Sequence, residues 1–186
     1  MASPNAALAL DLQQSATYQV VPEPFRDAWI STLLQYPPED IEKPRNGEAF
    51  ESRPKEELKD AISRRLNRYG LAAGCRFVVT ANRLTQKKPS IEFSCKFHGK
   101  KKDNKWKLND TLKRKDPVTG QLISDRQRDR TDHKFDCDCR YSVSLKKDSD
   151  GEMSWLGRWI EERHSNNHSL PMNPMYFIEF KRDLED

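Results

Sequence analysis

No apolar run in this chain approaches the roughly 20 residues a helix needs to cross a bilayer, so no membrane-spanning helix is expected. A glycine-rich phosphate loop, an HExxH helix and a Ser/His/Asp order are all missing. With them go the common signatures of nucleotide-dependent, metalloprotease and serine-nucleophile chemistry, and neither an enzyme nor a small-molecule substrate is expected. Apolar material is scarce too. Hydrophobic residues make up 35% against 33% charged, with a mean hydropathy of −0.96, which leaves one modest core plus extensions. A core that small gains from a staple, and a metal ion is one kind. The short stretch Ala6-Ala7-Leu8-Ala9-Leu10 lacks a basic region before it and meets Asp11 directly after it, so a secretory signal is not expected. An intracellular setting follows, in which the four cysteines read as metal ligands or buried thiols rather than disulfides.

What the chain does contain is unevenly spread. Residues 1–50 carry Arg26, Lys43 and Arg45 against seven acids, although the whole chain has a net charge of +4. The remainder is basic, which points to a polyanionic partner. Residues 1–24 read as a mobile leader. From Pro24 to Gln35 the apolar spacing of Phe25, Trp29, Ile30, Leu33 and Leu34 predicts an amphipathic helix, followed by a proline-punctuated linker over 37–44. Residues 1–46 therefore form an N-terminal extension, whose Trp29 helix packs on the later domain or on a protein partner.

A domain begins near Gly47. Ser52 and Pro54 suit a helix start, Leu58, Ile62, Leu66 and Tyr69 make one apolar stripe, and Gly70 is the expected stop. The opposite face, with Lys59, Arg64, Arg65 and Arg68, reads as solvated or phosphate-facing. The period then switches to that of strands at 75–80, 91–97, 139–145 and 154–160, with Trp155 and Trp159 on one face of the last. The expected fold is α+β: a small four-stranded antiparallel sheet with a preceding helix. Residues 99–134 interrupt it with about two basic residues for each acidic one, and read as a disordered or ordered-on-binding insertion.

The stretch from Cys95 to His168 carries the chemistry. Cys95 ends an apolar strand, Cys139 opens another, and His164-x3-His168 follows the last. Two thiolates and two imidazoles make a tetrahedral Zn²⁺ site, so Cys95, Cys139, His164 and His168 are the expected ligands. Cys137 competes with Cys139, and a cluster using His98 is the other arrangement. Cys75 reads as a buried strand thiol.

The matching residues Gly47, Phe50, Ser52, Cys95, Cys139-Arg140, Val143, Trp159, Asn167-His168 and Leu170-Pro171, in this order, resemble the WRKY-like zinc-finger module. They are most similar to its far-red-impaired-response type, shared with the N-terminal domains of Mutator-like transposases. The resemblance covers 47–171 and leaves 172–186 as a tail too short for a transposase catalytic domain. It implies a zinc-stapled sheet with a two-Cys, two-His site that binds double-stranded DNA. Two departures stand out. The family's paired histidines are separated by one residue, which puts Asn166 where a ligand belongs and leaves His164 as the nearest histidine. The WRKYGQK signature is also missing, so no target sequence carries over.

The family's groove-reading strand corresponds to 75–88. Arg76, Asn82, Arg83, Gln86, Lys87 and Lys88 offer the chemistry for it, since Arg and Lys pair with guanine edges and Asn or Gln with adenine. The basic insertion would add phosphate contacts. The expectation is a nuclear, zinc-dependent transcription regulator or domesticated transposase-derived domain. A zinc-stabilised protein-interaction module is the competing reading.

Overall fold

The computed structural model describes residues 4–51, 53–98, 114–115, 119, 122–124, 137–147, 151–164, 172–177 and 180–182. Helices α1 (Pro4–Gln14), α2 (Ala16–Val20), α3 (Arg26–Leu33) and α4 (Pro38–Ile41) precede the short strand β1 (Ala49–Phe50) and the long helix α5 (Lys55–Ala73). Strands β2 (Phe77–Asn82) and β3 (Ser90–Cys95), the short pair β4 (Arg114–Lys115) and β5 (Leu122–Ser124), then β6 (Arg140–Lys147) and β7 (Met153–Glu161) complete the order. The main sheet is antiparallel, with strand order β1-β7-β6-β3-β2.

The α+β class is as expected, but the sheet has five strands rather than four. The additional strand is β1, two residues long and too short to show a period. It is fixed by backbone bonds from Gly47 N to Gly157 O and from Gly157 N to Glu48 O, both 2.8 Å. The expected insertion over 99–134 lies outside the described residues, apart from Thr119 and the β4–β5 pair.

Helix α5 packs on one face of this sheet. Leu58, Ile62 and Leu66 are buried as the stripe predicts. The helix does not stop at Gly70; it runs to Ala73 and ends on Gly74 in the left-handed region, φ 71°. Gly70 serves another purpose, because a Cβ there would overlap the Cys75 carbonyl where the chain turns back into the sheet. Acidic Glu56 and Glu57 sit in the first turn, where the helix dipole favours them. The sheet's inner face contributes Phe77, Ile91, Phe93, Tyr141, Val143, Trp155 and Trp159 to the core. Gly157 leaves room for Tyr141, whose hydroxyl donates to the Arg45 carbonyl at 3.3 Å.

The N-terminal segment is an integral layer of the protein rather than a mobile leader. Leu12, Val21, Trp29 and Leu33 all join the core cluster. Trp29 is fully buried, and its indole N–H donates to the Leu71 carbonyl at 3.3 Å, so this helix docks on α5. The cations of α5 hold the linker in place: Arg65 donates to the carbonyls of Asp40 and Glu42 at 2.8 and 2.9 Å and to the Glu48 carboxylate at 3.0 Å. Arg68 pairs with Asp40 and lies over the Tyr36 ring. Arg65 and Arg68 are thus engaged inside the chain rather than turned to phosphate, while Arg64 on the same face is exposed.

Candidate metal centre and basic hairpin

The antiparallel order explains where the chemistry collects. Strand β3 ends, β6 begins and β7 ends at the same edge of the sheet, and these three are neighbours. Residues just beyond those termini are therefore brought together. Cys95 closes β3, Cys137 lies three residues before β6, and His164 lies three residues after β7. Their ligand atoms all fall within 4.8 Å of one another, with the Cys137 Sγ 3.4 Å from the His164 Nδ1. A tetrahedral zinc with Zn–S of about 2.3 Å and Zn–N of about 2.0–2.1 Å requires a sulfur-to-nitrogen separation of about 3.5–3.6 Å. The donor set and its spacing fit the ion.

Backbone contacts hold the ligands at this spacing. Cys95 N donates to Cys139 O at 3.0 Å, Cys137 N to Phe97 O at 3.3 Å, and His98 N to Cys95 O at 2.8 Å. The His98 ring also binds the Cys137 carbonyl at 2.6 Å through Nδ1. A carbonyl can only accept, so Nδ1 carries the hydrogen. The His164 ring stands edge-on to Phe77, with centroids 6.5 Å apart.

The Cys95 thiol is held well above the ordinary thiol range, first by its hydrogen bond to the Cys137 sulfur and then by burial. Burial also pushes Cys75 up, and Cys139 up to about 12. A divalent cation bound by Cys95 and Cys137 would have to displace the protons these surroundings favour, so its binding would release protons and weaken as pH falls.

Of the expected ligands, Cys95 and His164 meet in the cluster. The second thiol there belongs to Cys137. Cys139 is buried nearby, but its sulfur faces the Glu162 carbonyl at 3.7 Å. The reason is the strand period: Cys139 precedes Tyr141 by two and shares its inward face, whereas Cys137 lies before the strand and follows the 95–98 turn. His168 lies outside the described residues. His98 contributes through the Cys137 carbonyl and is not part of the cluster.

The residues expected to read DNA are split by the structure. Gln86, Lys87 and Lys88 are exposed at the tip of the β2–β3 hairpin, at the end of the sheet opposite the metal cluster. Arg83 is exposed there too, and pairs with Glu92 at 2.8 Å. Asn82 turns the loop, its Oδ1 accepting from Leu84 N at 3.3 Å. Arg76 precedes β2 and so lies at the metal end, on the order of 20 Å along the strand from the tip.

The residues the sequence undervalued are Cys137, held by the His98 ring and the Phe97 carbonyl, and Phe77 beside His164. A Cys-x-Cys pair offers two equivalent thiols, and only the register of β6 separates them. Comparison with protein-family models, with characterised proteins and with solved structures finds no match.

Proposed function

We propose that this protein is a zinc-stabilised, double-stranded-DNA-binding domain acting in the nucleus as a transcription regulator or domesticated transposase-derived module. The observation that carries the reading is the meeting of Cys95, Cys137 and His164 at one end of an antiparallel sheet whose opposite end bears a basic hairpin. Zinc would be held by these three side chains, with His168 closing a two-Cys, two-His set. It would tie β3, β6 and β7 together and so couple folding to metal binding. A set closed by protein ligands is structural and offers no open position for water. The WRKY-like resemblance supports the same arrangement, with Cys137 in the place expected for Cys139.

Lys87 and Lys88 extend beyond the sheet as a ribbon tip of a size that enters a major groove. The competing protein-interaction reading relied on the Trp29 helix, and that indole is buried against α5. The test is binding of a fluorescent random-sequence duplex by the full chain, titrated across 50 to 200 mM salt. Salt-dependent binding, lost on chelation and weakened in Lys87→Ala/Lys88→Ala with a slope smaller by about two, is the expected result. Absence of duplex binding by zinc-loaded protein at the low-salt end would refute it.

A further inference from the structure

Two guanidiniums lie on the sheet's outer face, Arg140 and Arg158. The register aligns Ser94 of β3 with Arg140 of β6, and Ser142 of β6 with Arg158 of β7, all on the face away from α5. Thr80 of β2 joins the row, its hydroxyl 3.0 Å from that of Ser94. Arg65, Arg68 and Arg83 each have a carboxylate partner. Arg140 and Arg158 have none among the described residues. The acids that border them are already engaged: Glu92 pairs with Arg83 at 2.8 Å, and Glu161 accepts from Arg163 N at 2.9 Å.

Arg140 carries a second signal. Its Nε is shut off from water and has no hydrogen-bond partner, the one buried side-chain polar atom in that condition among the described residues. A buried orphan donor demands a reason, and an absent acceptor is one. A guanidinium offers a planar fork that matches two oxygens of a phosphate. Thr80 and Ser142 are short, and Ser94 beside Arg140 is fully buried, so Arg158 is the exposed cation of the pair and Arg140 lies half-buried next to it. Arg140 and Arg158 are diagonal neighbours on adjacent strands, with the half-exposed Ile160 beside them on β7.

We propose that this outer face, centred on Arg140 and Arg158, is a second phosphate-contacting surface that grips the DNA backbone beside the groove entered by the β2–β3 hairpin. The inference rests on the DNA-binding reading above and assigns it a further surface. The hairpin tip would read bases, and the sheet face would fix the orientation of the duplex without reading sequence.

The test uses the full zinc-loaded chain and the same random-sequence duplex. Arg158→Gln alters an exposed side chain. It should weaken binding about tenfold and reduce the log–log salt slope by about one. Arg140→Gln/Arg158→Gln should reduce the slope by about two, with zinc content unchanged. Arg140→Lys keeps the charge but not the fork, and should restore the slope more than the affinity. If Arg158→Gln and the double variant bind as the parent does, while Lys87→Ala/Lys88→Ala binds more weakly, the sheet face is not a contact surface and the DNA-binding reading stands. If the parent protein binds no duplex, both are overturned. Should the double variant lose zinc or fold, the slope of Arg158→Gln alone decides.

Discussion

Replacing Cys137 by serine, and separately Cys139 by serine, distinguishes two thiols that lie two residues apart. Both are fully buried, so simple burial predicts similar losses of stability from the two changes. The geometry predicts otherwise. Cys137 presents its sulfur 3.4 Å from His164 Nδ1 and within the cluster that includes Cys95, whereas the Cys139 sulfur lies outside that cluster and faces the Glu162 carbonyl at 3.7 Å. Structural zinc sites contribute about 10–16 kcal/mol of apparent binding free energy, so one of four ligands accounts for roughly 2.5–4 kcal/mol. At about 1.4 kcal/mol per decade, Cys137→Ser should weaken zinc binding on the order of 10²–10³-fold. Cys139→Ser removes a weak sulfur contact, should cost the fold about 1–2 kcal/mol, and should leave the metal in place. Native mass spectrometry gives the stoichiometry of each variant, and competition with a chromophoric chelator gives the affinity. One zinc per chain lost in Cys139→Ser but kept in Cys137→Ser would refute the assignment and return the second thiolate to Cys139.

Three further outcomes follow from the packing. Trp29→Ala empties a fully buried site and breaks the bond to Leu71 O; it should destabilise the protein by about 3–5 kcal/mol in urea titrations, and a loss below about 1 kcal/mol would mean the helix is not docked as described. Gly157→Ala forces a methyl onto the Tyr141 hydroxyl and should lower stability by about 1–3 kcal/mol, with an unchanged midpoint contradicting the contact. Burial raises Tyr69 and Tyr141 above the ordinary phenol value of 10.0. The unfolded chain therefore ionises first: the stability these phenols confer is complete below about pH 10 and is lost as pH rises further. Thermal midpoints should fall over that range, and Tyr69→Phe/Tyr141→Phe should flatten the fall; an equal fall in the variant would refute this origin.

Regular elements with a clear period were legible in the sequence. The stripe Leu58, Ile62, Leu66 located α5, and alternation located β2, β3, β6 and β7 to within two residues at most ends. Two kinds of feature were not. Gly70 read as a helix stop because glycine lacks helical preference, but its role is to let the Cys75 carbonyl approach, a tertiary fact with no local signature. Strand β1 was invisible because a two-residue strand has no period, and it exists through its pairing with Leu156 and Trp155 and the flanking bonds to Gly157. At the candidate site, the residue types and their places at strand termini could be read, since antiparallel pairing sends the ends of β3 and β7 and the start of β6 to one edge. The choice between Cys137 and Cys139 could not, because it turns on where β6 begins, and element boundaries are what sequence patterns fix least well.

The metal end and the hairpin end are linked through one strand. β3 starts at Ser90, whose carbonyl accepts from Arg83 N at 2.8 Å beside the basic tip, and finishes at Cys95 in the cluster. β2 lies at the sheet's edge, with its ladder shifted between Val79 and Ala81 and its Phe77 N–H taken by the Asn67 side chain at 3.0 Å. The hairpin therefore takes its position from β3, which β6 holds on its other side, with Leu145 N donating to the Pro89 carbonyl at 3.3 Å. Loosening Cys95, Cys137 and His164 would free the end of β3 while leaving Lys87 and Lys88 chemically intact. Chelation should then weaken DNA binding by disordering the tip, whereas Lys87→Ala/Lys88→Ala weakens it by removing charge. The salt slope separates the causes: the variant loses about two units of slope on an intact fold, and the chelated protein shows loss of near-ultraviolet tryptophan signal together with the loss of binding. If chelation abolished binding with the Trp155 and Trp159 signals unchanged, the ion would have to act on the duplex directly rather than through β3.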